Sequence, residues 1–139
     1  MNVNLDACIH CNLCVRACRE VQVNDVIGMA GRGHQSQIVF DMADPMGQSS
    51  CVACGECVQA CPTGALMPAS VLDEKQAGDS QDYDREVKSV CPYCGVGCQL
   101  SFKIKDDKIK YVEGINGPAN ENRLCVKGRF GFDLSLIHI

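Results

Sequence analysis

The stretch CIHCNLCVRAC at residues 8–18 returns as CVACGECVQAC at residues 51–61, and this internal repeat decides the fold. Both copies follow the pattern C-x2-C-x2-C-x3-C, so together they hold eight of the twelve cysteines. The intervening residues also correspond, since VRA at 15–17 in the first copy matches VQA at 58–60 in the second. The chain therefore contains two structurally equivalent half-modules.

The composition leaves little material for a conventional apolar core. Among 139 residues there are four Phe, three Tyr and no Trp, and the 46% hydrophobic share counts all twelve cysteines. Small domains with so thin a core are usually held together by disulfides or bound metal. Twelve cysteines in such a chain admit disulfides, zinc sites or iron-sulfur clusters.

The N-terminus and the net charge exclude several classes of protein. Residues 1–7, MNVNLDA, have neither the basic nor the apolar region of a secretory signal, so we expect a reducing, cytoplasmic location in which disulfides are rare. No apolar run approaches the ~18 residues of a membrane span, so we expect no transmembrane segment. A net charge of −4 lacks the basic footprint of a nucleic-acid-binding protein.

The spacing of the repeated cysteines favours iron-sulfur clusters over zinc. A C-x2-C-x2-C loop can present three thiolates to three irons of a 4Fe-4S cluster, whereas a zinc site usually takes two separate C-x2-C pairs. Disulfides fit worse, because three closely spaced thiols leave awkward local pairings. In two-cluster ferredoxins the fourth cysteine of such a run ligates the other cluster. We therefore predict crossed ligation, by Cys8, Cys11, Cys14 and Cys61 for one cluster and by Cys51, Cys54, Cys57 and Cys18 for the other.

A third group of cysteines has the spacing C-x2-C-x3-C with a distant fourth member, and consists of Cys91, Cys94, Cys98 and Cys125. These four thiols predict one further cluster, which makes three 4Fe-4S clusters in all. Taken alone, the group could instead hold a single zinc ion. Gly95 and Gly97 leave the backbone open for amide hydrogen bonds to cluster sulfur, although both also suit an ordinary turn.

The rest of the pattern indicates an α+β fold class. Short helices are expected over 14–21 and 57–61, with Pro62 ending the second, while the first copy has Arg19 in the proline position. Apolar alternation predicts a hairpin with strands at 26–29 and 37–40, and another with strands at 98–105 and 108–113. The polar stretch DEKQAGDSQDYDREVK at 73–88 is typical of a linker.

These elements divide the chain into four parts. We predict a ferredoxin-like two-cluster 4Fe-4S module at 1–72, a linker at 73–86, a small β-rich 4Fe-4S domain at 87–133, and an atypical tail at 134–139.

Two motifs resemble those of a known enzyme family. The doubled cysteine run in residues 1–72 resembles the two-cluster segment in the large (alpha) subunit of NAD-dependent formate dehydrogenases. CPYCGVGC at 91–98, with LCVKGRFG at 124–131, looks like the 4Fe-4S domain that opens the molybdopterin oxidoreductase fold. Large subunits of NADH-quinone oxidoreductases and nitrate reductases are related, but the order of the motifs looks most like the formate enzymes.

The resemblance implies electron transfer within a larger enzyme. In that family a molybdenum or tungsten centre on molybdopterin oxidises formate to CO2, and electrons pass through clusters towards a flavin-bearing partner subunit that reduces NAD. Lys127 matches a lysine that the family places between cluster and pterin, which implies a cofactor-binding role, whereas alone it reads as a solvated surface lysine. His10, His34 and His138 are not assigned to metal, since histidines among polar neighbours are usually just exposed.

The resemblance also implies that the catalytic part lies outside this sequence. The molybdopterin domain would follow Asp133, so we expect no catalytic residue within the chain, which makes it a fragment of an oxidoreductase. The tail LSLIHI does not resemble the family continuation and suggests a truncated or chimeric reading frame. A free-standing polyferredoxin that carries electrons between soluble partners is the alternative, and a redox-silent zinc module is a third.

Overall fold

A computed structural model describes residues 1–71 and 83–135 of the chain. The protein divides into two compact units, Met1–Met67 and Pro68–Ile139. Most of the predicted linker at 73–86 and of the predicted tail at 134–139 lies outside the described residues. Within the described residues, every helix is too short or too polar to cross a membrane.

In the first unit, a short helix follows the leading cysteines of each repeat. Helix α1 spans Leu13–Arg16 and continues into a π-helical segment, Ala17–Val21, while α2 spans Glu56–Ala60. Both predicted helices are thereby confirmed, each beginning one residue earlier than expected. Helix α2 stops at Ala60 because the residue before Pro62 is sterically pushed towards extended backbone, as Cys61 is.

Two small antiparallel sheets complete this unit. Strand β2 (Ile27–Ala30) pairs with β3 (Gln37–Phe40), which confirms the first predicted hairpin with its first strand shifted by one residue. Strand β1 (Asn2–Val3) pairs with β4 (Leu66–Met67), a pairing that was not predicted because two-residue strands carry no periodic signal. The second pairing brings the residues just before Cys8 beside those just after Cys61.

The core of the first unit combines cysteines with aliphatic side chains and a single aromatic ring. Its buried members are Cys14, Val15, Cys18, Val26, Ile27, Ile38, Phe40, Cys57 and Leu66. Thiols that could ligate metal therefore occupy positions that a larger domain would give to apolar side chains. The packing of this core therefore depends on whether its cysteines bind metal.

The second unit contains a three-stranded antiparallel sheet and a helix that follows it in the chain. Strands β5 (Arg85–Val90), β6 (Gln99–Lys105) and β7 (Lys108–Gly114) lie in that order, and helix α3 spans Val126–Ser135. The β6–β7 hairpin confirms the second predicted hairpin. The buried core consists of Cys91, Leu100, Val112 and Leu124.

Two elements of this unit were not predicted. Strand β5 begins at Arg85, so its first two residues belong to the sheet although the sequence reads as linker there. It is an exposed edge strand whose charged composition lacks a strand signal, and its pairing with β6 is a tertiary effect. Helix α3 contains two glycines, and because glycine has a low helix propensity the sequence did not predict this helix.

The face of the sheet opposite Leu100 and Val112 carries an ion cluster centred on Lys103, whose side chain is only 8% exposed. Its ammonium lies 3.1 Å from Glu86 and 3.6 Å from Glu113, and 4.6 Å from the centroid of the Tyr83 ring. Burial alone would lower the pKa of Lys103, but its two carboxylate neighbours outweigh this and raise it. The pKa of Glu86 is lowered, first by the hydroxyl of Ser101 and then by Lys103. The cluster cross-links all three strands.

Candidate iron-sulfur sites

Four cysteines of the first unit converge on one cavity. Cys8, Cys11, Cys14 and Cys61 line it together, among apolar side chains that include Ile38 and Leu66. Three of these thiols come from the first repeat and one from the second. The structure thus brings together the four residues predicted for the first cluster, and the β1–β4 pairing explains why Cys61 reaches the first repeat.

A second group of thiols surrounds Cys57. Burial raises the pKa of the Cys57 thiol to about 12, and the thiols of Cys54, Cys51, Cys14 and Cys18 add to the effect, in that order. Three of these neighbours are the residues predicted to share a cluster with Cys57. The fourth, Cys14, belongs to the first group, so the two groups are adjacent within one core.

The third group forms around Cys98 in the second unit. Burial raises the pKa of the Cys98 thiol, and the nearby thiols of Cys91, Cys94 and Cys125 raise it further. The amide of Cys91 donates a 2.8 Å hydrogen bond to the carbonyl of Cys98, which closes the loop between them. Cys91 is buried, whereas Cys94 and Cys125 are exposed. The four predicted residues are therefore neighbours.

The two repeated loops share an unusual backbone conformation. The second residue after the first cysteine, His10 or Ala53, has φ of 54° in both loops. The residue directly after the next cysteine, Asn12 or Gly55, is also left-handed, at 61° and 76°. Such φ values cost non-glycine residues roughly 1 kcal/mol each, so their recurrence indicates a functional constraint. Gly55 and Asn12 are residue types that favour this conformation, whereas Ala53 gives no such signal in the sequence.

This conformation turns backbone amides towards the thiols. The amide of His10 donates to Cys8 Sγ at 3.4 Å, and the amide of Ala53 donates to Cys51 Sγ at 3.3 Å. Hydrogen bonds from amides to sulfur are known to tune iron-sulfur clusters. The equivalent pair of contacts shows that the two loops are built for the same task.

The fourth cysteine of each repeat also accepts amide hydrogen bonds. Cys18 Sγ accepts one from the buried amide of Val26 at 3.4 Å. Burial opposes ionisation of Cys61, but hydrogen bonds from the amides of Leu66, Thr63 and Ala65 outweigh it and lower the pKa of that thiol. Metal ligation requires the thiolate form, so this environment suits a ligand. Sequence reasoning did not anticipate these donors.

The donor set is compatible with 4Fe-4S clusters, each of which takes four thiolates. All twelve cysteines lie in the described residues and all are free thiols. Across residues 1–71 and 83–135, no three Cys, His, Asp or Glu side chains lie close enough together to share one ion. A zinc ion needs its thiolates at about 2.3 Å, whereas a 4Fe-4S cluster takes one thiolate at each of four irons.

Lys127 and the two described histidines are exposed. Lys127 lies in helix α3, two residues after Cys125, with its side chain exposed. His10 and His34 are exposed as well, and His138 lies outside the described residues. Gly97 adopts a left-handed φ of 74°, which a turn between Cys94 and Cys98 requires.

Two domain families match this chain. Residues 7–65 match the 4Fe-4S dicluster domain, and residues 84–135 match the molybdopterin oxidoreductase Fe4S4 domain. Both describe iron-sulfur domains, so the chain carries 4Fe-4S clusters and serves electron transfer.

Several bacterial proteins are similar along most of the chain. A provisionally named formate dehydrogenase of Staphylococcus haemolyticus is 30% identical over 162 aligned positions, which cover 91% of this chain. A protein of the same name from Staphylococcus aureus strain USA300 is 29% identical over 160 positions, covering 90%. The chain spans about 16% of the length of each of these curated relatives.

Proposed function

We propose that the chain holds three 4Fe-4S clusters and conducts electrons within a formate dehydrogenase large subunit, which oxidises formate to CO2 and passes the electrons to NAD. The observation that carries the proposal is the cavity lined by Cys8, Cys11, Cys14 and Cys61. A thiol from the second repeat lies among three from the first, as crossed ligation of two adjacent clusters requires.

The proposed ligands follow the three groups of thiols. The first cluster takes Cys8, Cys11, Cys14 and Cys61, the second takes Cys51, Cys54, Cys57 and Cys18, and the third takes Cys91, Cys94, Cys98 and Cys125. Crossed ligands would bind the two repeats to each other. This would stabilise a unit whose own apolar core is small.

The residues around each site would set the ease of reduction. A bound 4Fe-4S cluster supplies one-electron chemistry in which no covalent bond to substrate is made or broken. Apolar neighbours such as Ile38 and Leu66 would lower the local dielectric on one side of the first site. Amide donors such as His10 and Ala53 place partial positive charge beside sulfur, which favours the state with one more electron. The protein thus tunes its electron acceptors through packing and backbone dipoles.

The assignment to formate oxidation rests on the order of the two matched domains and on the similarity to the staphylococcal proteins. We assign residues 1–72 to the two-cluster domain, 73–86 to the linker and 87–133 to the third-cluster domain. In the complete enzyme, a molybdopterin domain with molybdenum or tungsten would follow, a flavin-bearing subunit would reduce NAD in the cytoplasm, and Lys127 would lie towards the pterin.

Purification of the native protein tests this proposal. The chain would be affinity-tagged at its own chromosomal locus, isolated anaerobically with everything covalently or tightly attached, and assayed for formate-dependent reduction of NAD. We expect activity together with molybdenum or tungsten in the preparation. A preparation that contained iron-sulfur clusters but neither molybdenum nor tungsten, and that did not oxidise formate, would refute the formate assignment. Such a result would favour a free-standing electron carrier.

A further inference from the structure

The loop between strand β7 and helix α3 is organised by one buried side chain, Asn120. It is 7% exposed and its carboxamide makes four hydrogen bonds. The oxygen accepts from the amide of Gln99 at 2.9 Å, and the nitrogen shares its two hydrogens among the carbonyls of Gln99, Ile115 and Arg123, at 3.0, 3.2 and 3.0 Å. Both functional groups of the side chain are therefore used.

These four bonds connect two places that the third cluster site needs to bring together. Gln99 directly follows Cys98, and Arg123 stands two residues before Cys125. Cys98 and Cys125 are 27 positions apart in the chain, so their approach costs loop-closure entropy. The Asn120 carboxamide spans this separation with direct contacts at both ends.

On its C-terminal side, Cys125 is held by helix α3, where its carbonyl accepts a hydrogen bond from the amide of Arg129 at 3.1 Å. The Cys125 side chain is exposed, and it is the preceding residue, Leu124, that is anchored in the core at 2% exposure. The two residues after Asn120, Glu121 and Asn122, adopt left-handed backbone with φ of 43° and 68°. A loop with such a conformation needs fixed contacts to hold it.

The local sequence permits the close approach that these bonds require. A Cβ atom at Gly117 would lie 2.8 Å from the side chain of Gln99, so only glycine fits there. The amide of Ile115 also donates to the carbonyl of Gln99, at 3.2 Å. The loop thus lies directly against the first residue of strand β6.

We infer that Asn120 is a positioning residue for the third cluster, whose side chain holds Cys125 within reach of the site formed by Cys91, Cys94 and Cys98. The inference rests on the proposed function, since it assumes a cluster at these four thiols. An aspartate in this place keeps the acceptor for Gln99 but loses every donor, and its negative charge faces three carbonyl oxygens. Asn120→Asp therefore breaks the hydrogen bond to the carbonyl of Arg123, near Cys125, while the shape of the side chain changes little.

The test uses the full 139-residue chain reconstituted anaerobically with iron and sulfide. Asn120→Asp is compared with Asn116→Asp, which makes the same charge change at an exposed asparagine of the same loop. A Cys125→Ala variant identifies the electron paramagnetic resonance signal of the third cluster by difference. The rate at which a chelator removes this signal is measured, and amide hydrogen exchange in β6 and β7 reports whether the sheet stays folded.

We expect Asn120→Asp to lose the third signal on the order of 10-fold faster than wild type, as is typical when a group that orients metal ligands is removed. Asn116→Asp should behave as wild type, and strand protection should be retained in both. Loss at the wild-type rate would overturn the inference, and so would loss accompanied by unprotected strands, which would make Asn120 a general fold residue. Absence of the third signal from wild type would instead refute the proposed cluster itself.

Discussion

Replacing Cys61 by alanine tests the crossed ligation of the two clusters in the first unit. Cys61 lies in the second repeat by sequence but lines the cavity of the first repeat's leading cysteines. The other polar side chains lining this cavity are Asn12 and Thr63, which are poor substitutes for a thiolate. One cluster should therefore be lost, and iron should fall from about twelve to about eight atoms per chain.

The identity of the lost cluster decides between the two ligation patterns. Cys11→Ala removes a ligand of the first repeat's loop and Cys54→Ala a ligand of the second, so their low-temperature electron paramagnetic resonance spectra serve as references. Crossed ligation predicts that the Cys61→Ala spectrum matches that of Cys11→Ala. A match to Cys54→Ala would refute the reasoning. Cys61→Ser controls for the lost hydrogen-bond acceptor, since it keeps an oxygen there while still weakening ligation.

Three further changes have defined outcomes. Removing the clusters with a chelator should abolish the cooperative thermal transition seen by circular dichroism, because structural metal binding contributes of order 10 kcal/mol to folding in small domains; an unchanged transition would show that the apolar cores suffice. Lys103→Met should lower the free energy of unfolding of the second unit, measured by urea titration, by about 1–2 kcal/mol. The reason is that two partly exposed glutamates lose the cation that they share. Lys108→Met, at an exposed lysine, is the control and should have no such effect. Gly131→Ala should lower the free energy of unfolding by about 1–3 kcal/mol, because the new Cβ would lie 2.5 Å from the Tyr93 ring. Most of this loss should vanish when Tyr93 is replaced by serine. Equal losses with and without the Tyr93→Ser change would exclude the clash.

Cysteine spacing carried most of what could be predicted about the sites. The repeat at 8–18 and 51–61 implied equivalent loops, and the structure shows the same left-handed positions in both. The helices after these loops and both hairpins were also predictable, because capping proline, turn residues and apolar alternation are local signals. These elements depend little on contacts distant in sequence.

The features that escaped prediction depend on distant contacts. The β1–β4 pairing joins residues 63 and 65 positions apart through two-residue strands, yet it places Cys61 beside the first repeat. Edge strand β5 reads as linker until β6 pairs with it. There was no reason in the sequence to single out Asn120, because nothing in its neighbourhood reveals that Gln99 lies against it. Composition and periodicity cannot report such pairings.

The content of iron and acid-labile sulfide in anaerobically purified protein tests the central claim most directly. Three quartets of thiolates, each holding a 4Fe-4S cluster, predict about twelve irons and about twelve sulfides per chain, with zinc present only in traces. Protein that contained zinc or no metal, and released no sulfide on acidification, would contradict the account.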